Sequence, residues 1–172
     1  MNQEVKMKPS YLKIAFLDRD GTLIKDYPDE KWREIKEPEF LEGSIEGLKR
    51  LKEMGYDFII ITNQYLINDG IISLNDYQQF TGKFLKKLKE ENIDILKIYF
   101  CPHNEKDHCH CKKPKPGMIE QAKKDFLIDM NNSIYIGDSQ VDYLLAKHFN
   151  LTFYGINYHD DNVKSYHSIL DI

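Results

Sequence analysis

A chain of 172 residues with 24 basic and 28 acidic side chains, a formal charge of −4, and 41% hydrophobic and 12% aromatic residues can build one folded core and lacks the clustered basic face of a nucleic-acid binder. No apolar run near the N-terminus approaches the ~20 residues of a membrane span, and no charged start followed by an apolar run resembles a signal peptide. A single domain over residues 1–172, with its core at about 11–157, is expected, cytoplasmic and monomeric, with a small-molecule partner and neither nucleic acid nor membrane.

In chain order, "YLKIAFLD" (11–18) reads as a strand, and "EGSIEGLKRLKEMG" (42–55) carries apolar residues at helical spacing up to Gly55. "YDFIIIT" (56–62) is a continuous apolar run, the form of a strand buried on both faces of a parallel sheet. The segment 73–93 opens at Ser73, an N-cap, and keeps Leu74, Tyr77, Phe80, Phe84, Leu85 and Leu88 on one stripe; it is the longest expected helix. Its lysines read as the solvated side of that helix.

A third strand follows at 94–100, a helix at 115–126 with Pro116 near its first turn, a fourth strand at 133–138, a helix at 139–149 and a fifth strand at 151–157. Strands and helices that alternate in this way imply an α/β fold: a doubly wound, Rossmann-like parallel sheet of about five strands with helices on both faces. No large cap domain is inserted. The last residues, from His159 on, read either as a short helix or as a tail.

In such sheets ligands bind beyond the carboxyl ends of the strands. Those ends carry Asp18 and Asp20, then Thr62 and Asn63, then Cys101 and His103, then Gly137 and Asp138. Each alone is ordinary turn or cap chemistry; their convergence on one rim is not. Paired acids with a hydroxyl suit a hard divalent cation beside a phosphoryl group, since magnesium takes carboxylate, water and phosphate oxygens and screens anionic attack on an anion.

The motifs "DRDGT" (18–22), "ITN" (61–63), a lysine within "KKPKPG" (112–117) and "GDSQVD" (137–142) resemble, in order and spacing, those of the haloacid dehalogenase superfamily of aspartyl-phosphate phosphatases. The resemblance implies that Asp18 is the nucleophile. Asp20 would protonate the leaving oxygen and then deprotonate water, since an acid that gives a proton first can take one back later. It also implies that Thr62 and the Asn63 backbone hold phosphate oxygens, with Lys112 a less certain neighbour, and that Lys113 neutralises phosphate and nucleophile. Asp18, Asp20 and Asp138 would hold magnesium, and Asp142 would support the site.

All three cysteines lie within 101–111, too close and too few for a disulfide framework. Cys101, His103, Cys109 and Cys111, in the pattern C-x-H-x5-C-x-C, supply three thiolates and an imidazole, a closed tetrahedral zinc set able to staple the loop 101–116. His108 and His110 are second choices for the imidazole. This loop resembles the branch of D-glycero-D-manno-heptose-1,7-bisphosphate phosphatases and related histidinol-phosphate phosphatase domains, over roughly Tyr11 to Asn157, with structural zinc and catalytic magnesium.

Where that branch commonly reads T-N-Q-S-G-I followed by a basic residue and Gly, this chain reads "TNQYLINDG" (62–70). Tyr65 and Leu66 replace small residues, and Asp69 stands where a cation often sits, which weakens the case for a second phosphate on the substrate. The segment 25–40 is longer than the branch suggests; its Trp32 and Arg33 could contact substrate or pack locally. The expected function is therefore a magnesium-dependent phosphomonoesterase, best matched to a heptose bisphosphate, with histidinol phosphate as the alternative and a 3′-phosphorylated nucleic acid end as a remoter one. An inactive zinc-stapled binding module is the reading from a different class.

Overall fold

The computed structural model describes residues 10–172. Six parallel strands lie in the order β3-β2-β1-β4-β5-β6. They are β1 (Ile14–Leu17), β2 (Asp57–Asn63), β3 (Ile95–Cys101), β4 (Ile134–Gly137), β5 (Thr152–Ile156) and β6 (Lys164–Tyr166). Four helices connect them: α1 (Ser44–Glu53), α2 (Leu74–Glu90), α3 (Gly117–Asp125) and α4 (Gln140–His148).

Alternation along β1 divides the core. Ala15 and Leu17 face α1 and α2, packing with Leu48, Leu51, Phe80, Phe84 and Leu88. Ile14 and Phe16 face α3 and α4, packing with Met118, Ile119, Ala122, Leu145 and Ala146. With both faces covered, the central strands have no polar side to show, which is why their sequences are continuous apolar runs. Each fully buried large apolar side chain contributes about 1.5–3 kcal/mol by leaving water.

The helix boundaries follow local chemistry. Ser73 caps α2 by accepting from the Asp76 N–H, while Asp76 accepts from the Ser73 N–H, a reciprocal capping box. The α2 lysines do more than meet water: Lys83 Nζ donates to the Lys36 carbonyl at 2.9 Å and Lys87 Nζ to the Pro38 carbonyl at 3.1 Å, tying the 25–40 segment to the helix. Leu74, expected on the apolar stripe, is the first residue of α2 and is exposed, while Tyr77, Phe80, Phe84 and Leu88 are buried.

Two further differences concern the chain ends. β1 begins at Ile14 instead of Tyr11, because Leu12 pairs with Ile128 in an isolated bridge outside the main sheet. The C-terminal segment is neither helix nor tail throughout: β6 adds a sixth strand beside β5, and a 3-10 turn (Ile169–Asp171) buries Ile169 against the α1 face. Between β1 and α1, among the described residues, the chain forms only a 3-10 turn (Asp29–Lys31) and loops. The rim above β1 is therefore bounded by loops.

Candidate active site

β1 pairs with β2 on one side and β4 on the other, and the chain leaves β1 and β4 towards opposite faces of the sheet. That divergence opens a crevice at the carboxyl ends. Asp18 follows β1 directly, its N–H bonded to the Ile136 carbonyl of β4 at 2.9 Å. One Asp18 oxygen accepts from Lys113 Nζ at 2.7 Å, the other from Thr22 Oγ1 at 3.1 Å. Thr22 can fold back because Gly21 takes φ +87°; a Cβ there would lie 2.0 Å from an Asp138 oxygen, so the turn admits only glycine.

Lys113 arrives from the loop between β3 and α3, and Asn63 fixes its backbone: Lys113 N–H donates to Asn63 Oδ1 at 2.9 Å, and Asn63 Nδ2 donates to the Lys113 carbonyl at 3.3 Å. Its ammonium has three acceptors: Asp18, Asp142 at 2.7 Å and the Ile61 carbonyl at 2.9 Å. Burial by itself would lower the lysine pKa, but Asp142 and Asp18 together raise it well above the usual range. Lys113 is thus a permanent cation.

Asp142 is fully buried, in the first turn of α4. Its oxygens are filled by Lys113, Tyr135 Oη at 2.9 Å and Ser139 Oγ at 2.6 Å. Ser139 occupies the N-cap position of α4, yet its hydroxyl bonds Asp142 instead of a backbone N–H. Gly137 allows this approach, since a Cβ there would stand 2.6 Å from Asp142 Cβ.

Asp18, Asp138 and Asp142 bring carboxylate oxygens within 4.8 Å of one another. Of the three, Asp18 and Asp138 border the cavity and Asp142 does not, so they are the pair placed to offer oxygens to a cation. Burial and the neighbouring Asp142 push Asp138 up to about 7, and burial holds Asp18 well above the ordinary carboxylate range despite Lys113. Two acids kept reluctant to ionise side by side fit a divalent cation, which would supply the missing positive charge and leave coordination positions for phosphate oxygens.

Asp20 is placed differently. Its carboxylate borders the cavity but is bonded to Arg19 and Gln64, outside the group of three acids. Thr62 is buried, its Oγ1 accepting from Gln64 Nε2 at 2.8 Å. Asp18, Asp20, Thr62, Asn63, Lys113 and Asp138 line one cavity of about 230 Å³ with Asp26, Asp29, Trp32, Tyr65 and Leu66. Lys112 lies in the adjoining hollow, bonded to Glu105 at 2.6 Å with its ammonium 4.9 Å from the Tyr65 ring centroid.

The residues that set this sequence apart form a collar around that cavity. Tyr65 Oη donates to Asp29 at 3.0 Å, and Arg33 donates to the Ile71 and Gly70 carbonyls at 2.9 and 3.3 Å. On the other side, Asn68 Nδ2 donates to Asp107 at 2.8 Å and Asn104 Nδ2 to Asp69 at 3.0 Å. Trp32 is buried rather than displayed, edge-on to Phe80 with its indole N–H on Asp26 at 3.2 Å.

Cys101 ends β3, and the 101–111 loop curls back to it. Cys101 Sγ lies 3.1 Å from Cys111 Sγ and 3.6 Å from Cys109 Sγ, and His103 Nδ1 lies 3.4 and 3.2 Å from the sulfurs of Cys101 and Cys111. A tetrahedron with metal–sulfur bonds of ~2.3 Å has edges of ~3.7 Å, so these four atoms already approximate one and can hold a metal. His108 and His110 are not among the four: His108 caps a 3-10 turn and His110 bonds Glu120 at 2.9 Å. Burial and the neighbouring thiols raise the Cys101 thiol pKa.

Sequence reasoning missed Arg19, Gln64 and Tyr135. The first two stand inside the quoted motifs; Tyr135 carries no local signal, because its bond to Asp142 spans a strand and a turn.

The family described as polynucleotide kinase 3 phosphatase matches residues 13–155. A D-glycero-alpha-D-manno-heptose-1,7-bisphosphate 7-phosphatase from Photorhabdus laumondii is 42% identical over 79% of this chain and 77% of its own length. A D-glycero-beta-D-manno-heptose-1,7-bisphosphate 7-phosphatase from Helicobacter pylori is 41% identical over 77% of this chain and 76% of its own length. In structure, D,D-heptose 1,7-bisphosphate phosphatase from B. bronchiseptica, complexed with magnesium and phosphate, matches at TM-score 0.81 over 92% of this chain and 94% of that one, with 22% identity. No helix among the described residues is long and apolar enough to cross a membrane.

Proposed function

Because the chain belongs to the haloacid dehalogenase superfamily of phosphatases, in the branch of the heptose-1,7-bisphosphate 7-phosphatases, and is thereby a phosphoric monoester hydrolase, we propose that it removes one phosphate from a sugar bisphosphate of the heptose class through an aspartyl-phosphate on Asp18. The observation that carries this reading is the buried Lys113 Nζ shared between Asp18 and Asp142 under a cavity bordered by Asp20 and Asp138.

In this proposal an Asp18 oxygen attacks phosphorus while the bond to the leaving oxygen breaks. Asp20 delivers its proton to that oxygen, so that the alcohol departs neutral. A water then attacks the aspartyl-phosphate, Asp20 takes its proton, and inorganic phosphate and the Asp18 carboxylate are regenerated. Two moderate barriers thus replace one high one. Thr62 and the Asn63 backbone bind phosphate oxygens, and Lys113 offsets charge on the nucleophile. Magnesium, held by Asp18 and Asp138, supplies electrostatic stabilisation of the transferring phosphoryl group. Zinc on Cys101, His103, Cys109 and Cys111 has a structural role, the set being closed with no open position. The whole chain acts as one domain.

One observation favours the alternative substrate, histidinol phosphate: Asp26 and Asp29 border the cavity, whose one lining cation among the described residues, Lys113, is already paired. An acidic mouth suits a cationic leaving group better than a second phosphate. Phosphate release with magnesium from heptose 1,7-bisphosphate, histidinol phosphate and a 3′-phosphorylated oligonucleotide decides the substrate. Fastest turnover of the heptose ester is the expected result, and fastest turnover of either other compound overturns it. Asp18→Asn should lower turnover on every substrate by on the order of 10⁴-fold with the fold intact; an active variant would remove the nucleophile assignment.

A further inference from the structure

Asp20 is held by side chains that no step above uses. Arg19 Nε donates to Asp20 Oδ1 at 2.8 Å, Arg19 Nη2 to Oδ2 at 2.9 Å, and Gln64 Nε2 to Oδ2 at 2.7 Å. Both donors are buried, Arg19 at 1% exposure and Gln64 at 4%. The Arg19 guanidinium rests over the rings of Tyr77 and Phe80, 5.5 and 5.2 Å from their centroids, and gives Nη1 to Thr81 Oγ1 at 3.3 Å. Helix α2 therefore backs it from behind. Gln64 is held as firmly: its N–H donates to the Cys101 carbonyl at 2.7 Å, and its amide also meets Thr62 Oγ1.

A carboxyl group offers about four hydrogen-bonding positions, and in the acid form one of them carries the proton. Three are taken by this clamp, which leaves one, and Asp20 borders the cavity that contains Asp18. We infer that Arg19 and Gln64 are positioning residues, which fix the rotation of the Asp20 carboxyl group so that its one free site addresses the leaving oxygen of a phosphoester on Asp18. The inference rests on the phosphomonoesterase reading. A planar guanidinium fork sets both oxygens of a carboxylate at once, which a lysine cannot do. Gln64 adds registry with the phosphate side, because the same amide touches the Thr62 hydroxyl.

The clamp matters in proportion to how much the leaving oxygen needs a proton. An alkoxide leaves poorly without one, whereas a p-nitrophenolate leaves as the anion. The parameter kcat/KM reports the steps through departure of the leaving group, and therefore isolates this transfer from hydrolysis of the aspartyl-phosphate. Using the full-length, magnesium-loaded chain, kcat/KM is measured for an alkyl sugar phosphate and for p-nitrophenyl phosphate.

Arg19→Met should lower kcat/KM for the alkyl ester by on the order of 10²-fold, the scale of a misplaced general acid, and that for the aryl ester by about 3-fold or less. Arg19→Lys should recover only part of the loss, and Gln64→Leu should show the same contrast at about 10-fold. Equal losses on both esters, or no loss on the alkyl ester, overturn the inference and leave Arg19 a purely structural residue. If Arg19→Met fails to fold by circular dichroism, the contrast in Gln64→Leu decides. A wild-type chain that turns over neither ester overturns the phosphatase reading; a wild-type chain that is active, with equal losses in the variants, overturns only the clamp.

Discussion

The carboxylates at the ends of β1 and β4 and the thiols of the 101–111 loop both gather metal-ligating atoms on one rim, but they are held there in opposite ways. Asp18 and Asp142 are buried, carried by a central strand and a packed helix, and balanced by Lys113. Of the four thiol and imidazole groups that could hold a metal, only Cys101 belongs to a strand and is buried; His103, Cys109 and Cys111 lie on a loop whose sole regular element is a 3-10 turn. The first cluster is a polar site built into a core that exists without it. The second is proposed to give a coreless loop its shape.

The comparison breaks first at Lys113. Replacing it by methionine strands two buried carboxylates, so Lys113→Met should cost about 3–5 kcal/mol in urea unfolding as well as activity. A neutral loss of stability there would mean that the strand-end cluster is no more integral than the loop.

Next comes the loop. Cys109→Ser, or removal of zinc by a chelator, should open 101–116 to proteolysis while the sheet keeps its circular dichroism signal. Zinc should restore protection and magnesium should not. Loss of the whole fold would make the two clusters equivalent. Since the Cys101 carbonyl anchors Gln64, turnover should also fall by a few-fold, about 3–10-fold on the scale of a displaced positioning group.

The strand-end acids have their own signature in pH. Burial raises the folded-state pKa of Asp138 to about 7, above its ordinary value of 3.8. Between these two values the native chain binds more protons than the unfolded one, so stability declines as pH rises towards 7. The stabilising effect is fully present below 3.8 and is lost once pH passes about 7. The Tm of the magnesium-free protein should fall across that window, and magnesium should reverse the fall by favouring the ionised acid. A Tm that rises with pH there would overturn the raised pKa of Asp138.

The smallest effect is at the seam between the two regions. Tyr65→Phe removes the hydroxyl donated to Asp29 and should cost about 0.5–1.5 kcal/mol. It should raise KM more than it lowers kcat, because the collar shapes entry and not chemistry.

Most of the scaffold was legible because burial on both faces writes itself into long apolar runs such as "FIIIT". The sixth strand was not: Lys164–Tyr166 is short, half-exposed and at the sheet edge, so it carries neither a run nor clean alternation. Leu74 differs because a helical stripe predicts a face but not which of its turns are covered. The sequence leaves Trp32 free to face substrate or to pack, since nothing in 25–40 reveals that Phe80, on a distant helix, makes its pocket.

By itself the sequence determined the alternating α/β architecture, the rim of polar strand ends and the two groups of side chains able to hold a metal, because each is written in residue type and local spacing. Only the tertiary structure decided what each polar group is bonded to. It shows Asn63 bracing the Lys113 backbone, Tyr135 and Ser139 donating to Asp142, Arg19 and Gln64 gripping Asp20, and Tyr65 and Asp69 joining three loops into a collar. The reason is physical: periodicity reports burial, a one-body property of each position, whereas a hydrogen bond between residues dozens apart exists only once the chain has closed on itself.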